Sequence, residues 1–420
     1  MFGVNNISSF LRTMFFLVLL ACFYNTIATS IGLGFPYNTF LFIPEDVFAD
    51  FFKVMDALKI VKTWPAINEY QQIGINHMPP FAISIYVWMA YCIKFLSFTR
   101  VTTYLLIFVL PLLLLLLKST RFVNQSRYWF LILFSYPVLV VLTRGNVALL
   151  VFVCLAFFIL QIDNIIVSML CLAIATSIKI TPVIFIVYFL VCHFDNWKRM
   201  LAGVAVFVLF MGIINYLAVI LVSATLSPTV YDPFYFLKAI GKYENIYIEQ
   251  FQGLRYGSSF YMAFRYIINL LEKHTGIGLF KFLLDIKPLL INFTVMLMLV
   301  GLYLWKFPLQ RFKAFILNRY NILKVVSIVL VLFTPVTADY YLTILILPLF
   351  FVPFEHFKIP EKLFYLLVLI PKNYFFYHFI SLQVFINPLL LLAMLLVMTG
   401  LYDFNFIATK NQQLKAGLKY

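Results

Sequence analysis

Acid is what this chain has least of. Only 16 aspartates and glutamates serve 420 residues, charged residues of both signs make up 11%, and histidine and cysteine number five each. With 64% of residues hydrophobic, so little charge excludes a soluble globular domain, whose surface could not be covered. The cysteines (Cys22, Cys92, Cys154, Cys171, Cys192) sit in or beside apolar runs, and no pair has metal-site spacing, which excludes a disulfide framework or a zinc site. The scattered histidines argue against a His-rich metal site. The net charge of +15 comes without any RNA- or DNA-binding motif, so nucleic acid is excluded as a partner. No internal repeat is visible, which counts against a transporter built from two related halves.

What remains is a series of apolar runs from 11–34 to 381–402, several shorter than the ~20 residues that cross a bilayer straight. The run beginning at Leu11 is too long for a signal-peptide core and reads as a retained first span. Counting 78–117 as one crossing and omitting 259–271 predicts an all-α integral membrane protein of about twelve spans. Phe (49) and Tyr (26) suit lipid-facing and interfacial positions.

Basic residues set the orientation. Lys306, Arg311, Lys313, Arg319 and Lys324 occur with no acid among them, placing the loop 306–321 in the cytoplasm. The tail 403–420, Lys198–Arg199 and the group Lys118, Arg121 and Arg127 fall on the same side. The chain then reads as a single polytopic domain over 1–420, with large outside loops at 35–77 and 223–258. One conflict is built in, because 78–117 holds two apolar stretches where sidedness needs an odd number of crossings.

The first outside loop carries Glu45, Asp46, Asp50, Asp56 and Glu69, five of the chain's 16 acids. As a helix it places Asp46, Asp50 and Lys53 on one face and Phe48, Phe51, Met55 and Leu58 on the other, the pattern of an interfacial helix. Polar residues near helix ends gather on the same outer side: His77, Arg144 and Asn146, Lys179, Arg255, Ser258 and Ser259, and Asp339. Each also has a plain structural reading. Lys179 suits a snorkelling helix end, Arg144 an orientation charge, and Ser258 or Ser259 the N-cap of the next helix.

The order of these features resembles the polytopic glycosyltransferases of the GT-C fold, and most of all glycosyltransferase family 87 (GT87), whose members use polyprenyl-phosphate sugars. The resemblance runs through Asp50 in ADFFKVMDAL, Met78-Pro79-Pro80, the turn Arg144-Gly145-Asn146-Val147, Lys179 and Pro182 in ATSIKITP, Gly257-Ser258-Ser259 with Arg265, and the turn Pro335 to Tyr340. Asn146 stands where the family has Gln, and the Trp and His of the last turn are absent.

The resemblance implies a GT-C-like bundle and transfer of a hexose from a polyprenyl-phosphate-linked donor to a glycan or glycolipid acceptor. Asp50 is then the general base, with Asp46 its rival one turn earlier, and the reaction inverts at the anomeric carbon. Lys179, Arg144, Asn146, Arg255 and Arg265 are candidates for the donor phosphate, and His77, Ser258, Ser259, Asp339 and Tyr340 for the rest of the cavity. No metal ligand or cofactor is assigned, and a divalent metal stays open. A bacterial inner-membrane location with the site facing the periplasm is expected, and usage rich in Phe, Ile, Lys, Asn and Tyr fits an envelope-glycan role such as O-antigen. The alternatives are a transporter or flippase, and a glycan polymerase. The single Arg in 223–258 counts against the last.

Overall fold

A computed structural model describes residues 6–32, 48, 50–51, 79–97, 99–119, 129–226, 259–335, 339–371, 376–377, 380–381 and 383–401. Among them the chain is helical apart from one antiparallel pairing of Phe376–Tyr377 with Ile380–Ser381. The helices are α1 (Ile7–Ser30), α2 (Pro80–Phe95), α3 (Arg100–Tyr104, Leu105–Val109 and Leu110–Ser119 in succession), α4 (Tyr136–Arg144), α5 (Ala148–Leu160), α6 (Ile165–Ile178), α7 (Ile186–Cys192) and α8 (Trp197–Leu226). They continue with α9 (Phe260–Thr275), α10 (Gly278–Asp285), α11 (Pro288–Lys306), α12 (Leu309–Leu317), α13 (Arg319–Phe333), α14 (Ile346–Phe351), α15 (Ile359–Leu369) and α16 (Gln383–Thr399).

Local chemistry sets their limits. Asn6, Asn164 and Asn318 cap α1, α6 and α13, their side-chain oxygens accepting from Ser9, Val167 and both Tyr320 and Asn321 backbone N–H groups. Gly145 and Gly276 close α4 and α9 in the left-handed conformation. The middle of α3 is a π-turn, with Leu110 N–H reaching Leu105 O. The cause is Pro111, which has no N–H to give Ile107 and whose ring would strike that carbonyl in a regular helix.

The core is formed by α5, α6 and α13, where Leu155, Phe158, Leu172, Ala175, Ile328 and Val331 are fully enclosed. The flank is the reverse. In α8, Val208, Leu209, Ile213 and Leu217 are exposed, and in α11, Phe293, Leu297, Met298 and Trp305. At roughly 25 cal/mol per Å² such faces are costly in water and at home in lipid. By length and composition α1 and Trp197–Val222 are long and apolar enough to cross a membrane alone. The pair α12–α13, bent by 84°, is a third candidate, and the other apolar helical stretches run 10–17 residues, Leu290–Lys306 of α11 among them. The expected twelve crossings are therefore not countable from helix length.

The two apolar stretches of 78–117 are two helices, α2 and α3. The Tyr104 hydroxyl, early in α3, donates to Leu142 O at the end of α4, and Leu110–Ser119 packs along α5, which starts just past that end. The later part of α3 therefore lies alongside α5, leading away from the end of α4.

Among the described residues one ion pair is sealed in the core. Lys324 Nζ of α13 donates to Glu361 Oε2 of α15 at 2.8 Å and to His356 O at 3.2 Å, with side chains 2% and 1% exposed.

Candidate functional site

The site is built on the end of α4. Gly145 adopts φ +64, and its N–H reaches Leu142 O while Asn146 N–H reaches Val141 O, a Schellman closure. This closure leaves Arg144 in the last helical turn and starts α5 at once. Asn146 Oδ1 accepts from Ala148 N–H at 2.9 Å, which fixes the carboxamide so that Nδ2 faces the opposite way.

Asp50 fills the space so prepared. Its Oδ1 accepts from Arg144 Nη2 at 2.9 Å, and its Oδ2 from Arg144 Nε at 3.3 Å and Asn146 Nδ2 at 2.8 Å. This is a bidentate guanidinium–carboxylate pair with a third, neutral donor. Both charged side chains stay about a quarter exposed (23% for Arg144, 25% for Asp50), so the carboxylate is positioned without being sealed.

The apolar neighbours of Asp50 do the anchoring. Phe51 is fully buried among Tyr86, Tyr104 and Phe108, and Phe48 stacks edge-on against Tyr104 at 4.7 Å. Phe48 N–H donates to Thr143 O. A Cβ on Gly145 would stand 2.8 Å from Phe51 Cβ, so the glycine serves both the turn and the dock. Phe48 has φ +57, which corrects the expected continuous interfacial helix: a right-handed helix cannot pass through residue 48. Asp46, Lys53, Met55 and Leu58 lie outside the described residues.

Lys179 is in the turn after α6. The helix stops at Ile178, Lys179 is extended (φ −144, ψ 134), and a short 3-10 helix begins at Thr181 with Pro182 in its first turn, where a proline costs no hydrogen bond. Its ammonium lies over the Tyr340 ring at 4.3 Å and the Tyr341 ring at 4.2 Å, both in the short helix Asp339–Leu345, which packs on α4. Burial lowers the Lys179 pKa to about 7, against the opposing pull of the nearby Asp50 charge.

The other candidates divide. Ser259 is an N-cap: its Oγ accepts from Met262 N–H at 3.3 Å and donates to Pro335 O at 2.8 Å, tying α9 to the end of α13. Arg265 Nη1 donates to Leu284 O, near the end of α10, and to Tyr261 Oη, both at 3.1 Å, away from the Asp50 contacts. Asp46, His77, Arg255 and Ser258 lie outside the described residues, as does the side chain of Asp339. Among the described residues no group of three or more His, Cys, Asp or Glu could hold a metal ion.

Sequence reasoning named Asp50, Arg144, Asn146, Lys179 and Tyr340, and the structure connects them. It passed over Tyr341, Tyr104 and the second duty of Gly145. The doublet Tyr340-Tyr341 beside a predicted polar turn was the available signal for the first.

Fold and site together define a helical membrane protein with a partly exposed carboxylate held at the convergence of several helix ends. A family model described as glycosyltransferase family 87 matches residues 76–335. The match covers more than half of the chain, and the chain belongs to that family. No curated protein and no solved structure matches it.

Proposed function

We propose that this glycosyltransferase moves a hexose from a polyprenyl-phosphate donor to a glycan or glycolipid acceptor at the outer face of the membrane. The observation that carries the proposal is the Asp50 carboxylate, oriented by Arg144 and Asn146 with the Lys179 ammonium close by. A carboxylate offers roughly four lone-pair sites. Among the described residues three are used by protein donors, which leaves one for an acceptor hydroxyl.

In the proposed step Asp50 takes the proton of that hydroxyl as its oxygen bonds to the anomeric carbon. The bond from that carbon to the phosphate oxygen breaks, and the polyprenyl phosphate leaves as an anion. Lys179 meets the charge growing on the leaving phosphate. Arg144, paired with both Asp50 oxygens in this arrangement, acts as a positioning residue for the base. One displacement with one base inverts the anomeric centre. A periplasmic orientation in a bacterial inner membrane and an O-antigen or related envelope acceptor belong to the same reading, supported by the charge distribution and residue usage.

The test offers purified protein two labelled donors, a polyprenyl-phosphate hexose and the nucleotide sugar of the same hexose, and determines the product anomer by NMR. Use of the lipid-linked donor with inversion is expected. Use of the nucleotide sugar, or retention, would reject the proposal.

A further inference from the structure

We propose that Tyr340 and Tyr341 are positioning residues whose two ring faces hold the Lys179 ammonium in place for the donor's phosphate. The inference rests on the reading of Lys179 given above and names the residues that would make it work.

The geometry is specific. A lysine has four rotatable side-chain bonds and, at a helix end, would ordinarily extend toward water. Here the ammonium lies 4.3 Å and 4.2 Å from two ring centroids, inside the distance at which a cation is attracted to a ring face. The two rings are 5.4 Å apart and 31° from parallel, so their faces form one concave seat. They come from one helical turn that packs on α4, the helix whose end carries Arg144. The lysine comes from a different turn, that of Lys179-Ile180-Thr181-Pro182. The seat therefore joins two otherwise separate parts of the site.

Ring faces suit this task better than a carboxylate. A carboxylate partner would neutralise the lysine and compete with the phosphate. An aromatic face holds the cation by its quadrupole, keeps the full positive charge, and yields to a phosphate oxygen, which binds an ammonium more strongly. The seat also compensates part of the desolvation that burial imposes on the ammonium. Among the described residues no carboxylate is paired directly with the ammonium, and a cation so positioned fits a singly charged phosphodiester such as a polyprenyl-phosphate sugar.

The test measures binding of farnesyl phosphate, a prenyl monophosphate, to the full chain in detergent, with thermal unfolding recorded in parallel. The variants are Lys179→Met, the double Tyr340→Leu/Tyr341→Leu, and the double Tyr340→Phe/Tyr341→Phe. Wild type is expected to bind, Lys179→Met to lose tenfold or more, and the double Leu variant to lose about tenfold, the scale of a partly desolvated cation–π contact. The double Phe variant, which keeps both faces and nearly the full volume, is expected within about twofold of wild type.

If the double Leu variant binds like wild type while Lys179→Met has lost affinity, the seat is refuted and the lysine keeps its role. If the Phe variant fails as badly as the Leu variant, the hydroxyls and not the faces matter, and the proposal is overturned. If Lys179→Met binds like wild type, or wild type does not bind, the reading of Lys179 fails and the seat with it.

Discussion

In the proposed reaction Asp50 and Lys179 do opposite work, and their environments keep the roles apart. Asp50 is held by a guanidinium that always stays charged, so the carboxylate is fixed in direction across the working pH range. Lys179 is different, because burial brings its pKa down to about 7. The sign follows directly: the ammonium form is present below about 7 and is lost as pH rises past it. The KM for a phosphodiester donor, whose own charge is constant there, should be flat below neutrality and rise above it. Lys179→Arg, which remains charged, should remove most of that rise. A rise that persists unaltered in Lys179→Arg would place the titration elsewhere. Arg144→Lys should lower kcat by roughly ten- to a hundredfold with little loss of thermal stability, because a point charge cannot hold both carboxylate oxygens.

At the scale of elements, the turn between α4 and α5 holds the proposed base in place. Gly145→Ala adds a Cβ at a left-handed position, costing about 1–2 kcal/mol, and drives it against the Phe51 Cβ. The docked segment should shift while the bundle survives. The expected result is a small drop in Tm, a large drop in transfer rate, and faster proteolysis within 35–77. Equal loss of stability and activity would mean the turn is only structural. Ser259→Ala should cost about 1 kcal/mol as a lost N-cap and leave transfer largely intact, since its hydroxyl serves Met262 and Pro335 and not the carboxylate.

The sequence led to the expectation of Asp50, Arg144, Asn146 and Lys179 in one cavity, because helix ends and charge asymmetry are local properties of a chain, and the structure places Arg144 and Asn146 on Asp50. It could not show that Phe51 presses on Gly145, or that Lys179 meets Tyr340 and Tyr341. Those contacts span up to about 160 residues and leave no periodic trace. The continuous helix expected through Asp46, Asp50 and Lys53 fails at Phe48 for a related reason. A backbone bond to Thr143 and a ring contact with Tyr104, both distant in sequence, hold residue 48 in the left-handed region.

The whole molecule was legible as a helical membrane bundle from its scarcity of charge. Its crossings were less so, since helices of 10–17 residues and a pair bent by 84° do not follow the simple length rule. The enclosed Lys324–Glu361 pair was invisible too: Lys324 counted only as one more orienting base, yet it points into the core. Lys324→Met alone should destabilise the bundle by about 3–5 kcal/mol by stranding the Glu361 carboxylate. Adding Glu361→Leu should recover much of that, as read by thermal unfolding of the single and double variants. An additive double variant would show that the two charges are not coupled.

The most direct test of the central claim is transfer of labelled hexose from a synthetic polyprenyl-phosphate donor, wild type beside Asp50→Asn. The substitution keeps the shape of the side chain and removes its proton-accepting charge. Wild-type turnover with a loss of about a hundredfold or more in Asp50→Asn, at unchanged Tm, is the predicted result. Turnover in Asp50→Asn equal to wild type would contradict the assignment of the base and, with it, the site described here.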